Sequence, residues 1–184
     1  MKLILNVLVC AALLCGTLPA AAQKGKGVIK ENLKVEFPTL LKAVKKSLSD
    51  LGCRVEVEKT EQGSDNLYRS NIRTEFYIVS TGVDTTKEFM EKLSCEADDC
   101  EKFPFIRGGE WVSGRVQYSI VLKEKDDETV DFLLKGELSG YEQWVTSKVH
   151  FWDSNGILER DFYNSIRVNA GLPALPPPPP PADN

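Results

Sequence analysis

Two rhythms organise the chain. Leu33, Val35 and Phe37 alternate with Asn32, Lys34 and Glu36, the two-residue period of a short half-buried strand. Pro38 closes it and opens a helix, since a helix's first turn leaves the missing N–H unpaired anyway. From Pro38 to Leu51 the period changes: Leu40, Leu41, Val44, Leu48 and Leu51 recur at three- and four-residue steps opposite Lys42, Lys45, Lys46 and Ser49. Gly52 supplies the stop.

Alternation then returns. Cys53, Val55 and Val57 predict one strand, followed by a turn region over Glu61–Asn66. Ile72, Thr74, Phe76 and Ile78 predict the next. Val112, Gly114, Val116, Tyr118, Ile120 and Leu122 share one face, as do Val130, Phe132, Leu134, Gly136 and Leu138, with Lys125–Glu128 as the hairpin loop between them. Val145, Val149 and Phe151 suggest a last strand. Leu158, Phe162, Ser165, Ile166 and Asn169 then fall at helical spacing, ended by Gly171.

Residues 81–110 interrupt the strands with an inserted helix and loop. Thr85 and Glu88 stand at capping-box spacing ahead of Phe89, Met90 and Leu93. Together these elements predict an α+β domain over residues 32–171: a mainly antiparallel sheet of five or six strands packed on a long amphipathic helix, with a C-terminal helix. Residues 23–31 read as a flexible leader. Residues 172–184 form a proline-rich tail in which Pro176–Pro181 favour the extended polyproline conformation.

The N-terminus sets the compartment. Lys2, the apolar run Leu3–Leu14 and Ala20-Ala21-Ala22 match a cleaved secretory signal over residues 1–22. The apolar run is shorter than the roughly 20 residues of a membrane-spanning helix. Cys10 and Cys15 follow Val9 and Leu14 rather than the small residue a lipid-acceptor cysteine requires. The expectation is therefore a periplasmic or secreted chain with no transmembrane anchor after cleavage. In an oxidising compartment Cys95 and Cys100 are close enough in sequence to bridge, which leaves Cys53 as a small core residue.

Composition and motifs narrow the chemistry. The formal net charge is −4, which argues against nucleic acid as a partner. The only histidine, His150, is expected on the solvated side of its strand, opposite Val149 and Phe151, and without a second histidine the usual His-based metal sites are not built. The acidic run Glu96, Asp98, Asp99 and Glu101 lacks calcium-loop spacing. Gly108-Gly109 lacks the lysine and hydroxyl of a phosphate loop, and no Gly-x-Ser-x-Gly elbow is present. These readings point away from an enzyme and imply no cofactor, with an uncharacterised hydrolase as the third choice.

The candidate binding residues are aromatic. Phe103, Phe105, Ile106 and Trp111 crowd one loop, and Trp144 follows Gly140-Tyr141-Glu142-Gln143. Such a group either covers the core or is displayed as a contact patch. The course from Val35 to Ile78, with the helix-to-strand junction Leu51-Gly52-Cys53-Arg54-Val55, and the paired strands and closing helix over Val112–Ile166 resemble helix-grip modules. The modules in view are those of component C, a lipoprotein of the bacterial outer-membrane β-barrel assembly machinery. The resemblance implies a sheet curled around a helix. The expected function is a non-catalytic binding or scaffolding module with an envelope protein as partner. The alternative is a carrier holding an apolar ligand or lipid between sheet and helix.

Overall fold

The computed structural model describes residues 27–177. The signal-like segment 1–22, residues 23–26 of the leader and residues 178–184 of the tail lie outside them. Within them the order is β1 (Val28–Leu33), α1 (Phe37–Leu51), β2 (Val55–Gln62), β3 (Tyr68–Thr74), β4 (Tyr77–Thr81), α2 (Val83–Leu93), β5 (Trp111–Glu124), β6 (Val130–Glu142), β7 (Lys148–Asp153) and α3 (Ile157–Asn169). The fold is α+β, with a seven-stranded antiparallel sheet rather than one of five or six strands.

The long hairpin β5–β6 is the spine. Each of its outer edges is filled by two shorter strands set end to end. On β5, β3 pairs with residues 119–123 and β4 with 113–116; on β6, β1 pairs with residues 130–135 and β7 with 137–142. β2 closes the β3 side.

The extra strands have local causes. β1 begins at Val28, inside the segment expected to be a flexible leader, because its backbone pairs with β6 from Val28↔Lys135 to Leu33↔Val130. The run from Ile72 to Ile78, expected as one strand, breaks at Glu75-Phe76, where the Glu75 amide donates instead to the Arg54 carbonyl. The break reverses the inward phase: Ile72 and Thr74 are buried, whereas Ile78 is exposed and Tyr77 and Val79 are half-buried. β2 runs on through Glu61 and Gln62, which the sequence assigns to a turn, and it is exposed along its whole length. Val57, expected half-buried, is 52% exposed because β2 is the sheet edge.

α1 behaves as its pattern requires. Leu40, Ala43, Val44, Ser47 and Leu48 are buried, and Gly52 caps the helix in the left-handed region at φ 73°. Leu51 lies at the margin and is exposed. The stripe forms one core with Val116, Tyr118, Ile120 and Leu122 of β5 and with Phe132, Leu134 and Leu138 of β6. α3 joins the same layer, with Phe162 4.8 Å from Tyr118 and Tyr163 5.0 Å from Phe132 between ring centroids. Ser47 ties the two helices, accepting from Asn169 Nδ2 at 2.8 Å and from the Ser165 hydroxyl at 3.1 Å. The free Cys53 thiol is buried in the same core, and burial pushes it up to about 11.

α2 starts two residues before Thr85. Gly82 occupies the N-cap position with no side-chain cap, so the expected capping box does not form. Met90 and Leu93 are buried as expected, while Phe89 is exposed.

Candidate contact surface

The loop between α2 and β5 is fastened at both ends. Cys95 and Cys100 form a disulfide with Cα atoms 6.4 Å apart. The Cys95 amide donates to the Asp153 carbonyl at 2.9 Å, the Asp153 amide to the Glu101 carbonyl at 2.9 Å, and the Glu101 amide to Asp153 Oδ2 at 3.1 Å. The start of the loop is thereby stitched to the end of β7.

Beyond it the aromatic residues divide. Phe103 turns inward, with its ring 4.8 Å from Trp111 and 5.0 Å edge-on to Trp152. Trp111 is buried and Ile106 is half-buried against the core. Phe105, between these anchors, is 84% exposed. It borders a shallow groove of about 320 Å³ shared with Phe103, Glu91, Ser94, Cys95, Glu96 and Lys102.

Trp144 is displayed in the same manner. It is 65% exposed, yet the turn carrying it is held from below by Glu142, whose side chain is fully buried. Glu142 Oε1 accepts from the amides of Trp144 and Val145 at 2.7 and 2.8 Å, and Oε2 accepts from the amide and the hydroxyl of Thr146, the latter at 2.6 Å. Burial alone would raise this carboxyl, but the Thr146 hydroxyl and the three amides outweigh it and hold it at about 2. Trp144 Nε1 and Gln143 Nε2 both donate to Glu110 Oε2, and the Gln143 amide donates to the Glu110 carbonyl at 3.1 Å. Glu110 therefore locks the Trp144 turn to the end of the Phe105 loop.

His150 is half-buried rather than fully solvated as expected. Its ring lies 5.4 Å from Trp111 and Nε2 is 2.7 Å from Thr146 Oγ1. The inward face of β7 is that of His150 and Trp152, while Val149 and Phe151 face outward and are exposed. The reason lies opposite: His150 pairs with Gly140, where a β-carbon would come within 3.0 Å of both Trp111 and Trp152. A glycine in a strand interior that makes room for rings on its neighbours was the available signal. Because the Glu142 carboxylate only accepts, it takes the Thr146 proton, and His150 Nε2 must donate to Thr146. The imidazole is thus not aimed as a base at this hydroxyl, the arrangement a His-activated nucleophile needs.

The acidic loop stays dispersed. Among the described residues, no group of three or more His, Cys, Asp and Glu side chains is gathered as for a metal ion, and no helix is long and apolar enough to cross a membrane. No family model matches this chain, nor does any curated protein or solved structure compared with it.

One buried acid was missed by sequence reasoning. Glu159 of α3 is fully buried, accepts from the Ser154 hydroxyl at 2.8 Å through Oε2, and leaves Oε1 without a partner. Burial raises its carboxyl to about 7. Its space is provided by Gly27 and Gly136, whose added β-carbons would lie 2.7 and 1.7 Å from Oε1.

Proposed function

We propose that this chain is a non-catalytic exported binding module of the cell envelope, periplasmic or secreted, whose contact surface is built on Phe105 and Trp144. The observation that carries the reading is the pairing of high exposure with local fixation. Two large aromatic side chains face solvent from loops held by a disulfide, by Glu110 and by the buried Glu142 carboxylate. Fixed exposed aromatics lose little conformational entropy on binding and are the residue type that dominates protein contact surfaces.

Three further features support it. The signal-like N-terminus and the disulfide agree with export. Buried side chains of the sheet and of all three helices meet in one hydrophobic cluster, which supports a surface contact over an enclosed apolar ligand. The resemblance to helix-grip modules of an envelope assembly machinery is consistent with a protein partner in that compartment.

The test is capture from envelope and secreted fractions with the wild-type chain and with a Phe105→Ala/Trp144→Ala variant. The reading expects a discrete partner retained by the wild type and lost by the variant, with both chains melting within a few degrees of each other. Equal retention by both, or no retained partner under mild conditions, contradicts it.

A further inference from the structure

The outer face of the sheet, away from the helices, carries a second unusual group. Across β4, β5, β6 and β7 one register row runs Ile78↔Arg115↔Ser139↔Phe151. Phe76, from the break between β3 and β4, folds over this row: the Arg115 guanidinium lies 5.2 Å from its ring centre, and its ring lies 6.0 Å from that of Phe151. Beneath, Ser139 is fully buried, and its hydroxyl has no hydrogen-bond partner. Arg115 Nε is also buried without a partner, and the guanidinium forms no ion pair among the described residues. An arginine without a counter-ion, directly across from a buried unsatisfied hydroxyl, departs from the rule that buried polar groups are paired.

We propose that Arg115 and Ser139 form a carboxylate site, and that its ligand is the C-terminal carboxylate of an extended peptide with an apolar last residue. A guanidinium presents its donors as a planar fork that matches one carboxylate, and the Ser139 hydroxyl adds one more donor. One positive charge balances one carboxylate, whereas a phosphate dianion would demand more donors than are present. Phe76, Phe151 and the exposed Ile78 provide apolar walls for the side chain next to the carboxylate. β4 pairs on one side only, so beside Ile78 its other edge offers unpaired backbone groups to an extended peptide. This site stands apart from the Phe105–Trp144 surface and does not depend on it.

Titration calorimetry and NMR shift mapping on the full chain test the assignment with three probes: N-acetyl-Ala-Ala-Phe as free acid, the same tripeptide as C-terminal amide, and octanoate. The free acid is expected to bind and to shift the amides of Arg115, Ser139 and Phe151, with the amide and octanoate at least about tenfold weaker. Arg115→Met should abolish binding and Ser139→Ala should weaken it. Should Arg115→Met not fold, Arg115→Lys keeps the charge without the fork and should still lose about tenfold. Equal binding of acid and amide, no binding of the acid at millimolar concentration, or full binding by the arginine variants overturns the site. Octanoate binding as tightly as the tripeptide acid overturns the peptide assignment.

Discussion

The Glu159 carboxyl packs so closely over Gly136 that a β-carbon at that glycine would come within 1.7 Å of Oε1. The acid is enclosed by the meeting of β1, β6 and α3, bonded through Oε2 to Ser154 and unpaired at Oε1. Its burial gives the fold a titration of its own. The folded chain holds the Glu159 proton up to about 7, against 4.5 for the free side chain. The protonated form therefore contributes stability that is complete below pH 4.5 and is lost as pH rises through about 7. Comparing chemical denaturation of the wild type and Glu159→Gln across this window should show the wild type weakening relative to the variant as pH rises. A constant difference would mean that the carboxyl ionises freely in the fold.

Gly136→Ala should displace Glu159 or the strand beneath it. Overpacking of this kind destabilises by about 1–3 kcal/mol, read as a lower denaturant midpoint at unchanged slope.

Glu142 should show the opposite pH sign. Its carboxyl is held at about 2 in the fold, so its contribution is present above the ordinary value of 4.5 and is lost as pH falls toward 2. Glu142→Gln should lower the melting temperature at pH 7, with the gap to the wild type closing in acid.

Loss of the disulfide should be modest for stability. For so short a loop, the chain-entropy estimate is about 2 kcal/mol. The Cys95→Ser/Cys100→Ser variant should remain folded, while limited proteolysis should cut between residues 96 and 105 sooner than in the wild type.

The α1 stripe should dominate the helix–sheet contact. Leu48→Ala removes a fully buried side chain and should cost about 2–5 kcal/mol, whereas Leu51→Ala, at the exposed margin, should change the denaturation midpoint little.

Much of the architecture was legible because burial on one face leaves a period in the sequence. Leu40, Val44 and Leu48 at helical steps, and Val116–Leu122 and Val130–Leu138 at two-residue steps, meet in one core as their spacing implies. The first strand was placed too late: the alternation read over Asn32–Phe37 overlaps β1 only at Asn32 and Leu33, because the pairing of Val28–Leu33 with β6 rests on backbone hydrogen bonds that any side chain permits. The phase reversal at Glu75-Phe76 was hidden because Ile72, Thr74, Phe76 and Ile78 keep a two-residue spacing across it. His150 and Glu159 were illegible by type, since polar residues are assigned to solvent. Their inward direction was set by Gly140 on one side and by Gly27 and Gly136 on the other. Of the aromatic candidates, composition could not separate Phe105 and Trp144 from the inward Phe103 and Trp111; only the anchoring of each loop does.

The most direct measurement is site-specific photo-crosslinking in the native compartment, with a benzophenone amino acid placed in turn at Phe105, at Trp144 and, as control, at the exposed edge residue Val57. The account predicts that positions 105 and 144 trap the same partner while position 57 traps none. Adducts that are absent at both sites, or equally abundant at all three, would contradict it.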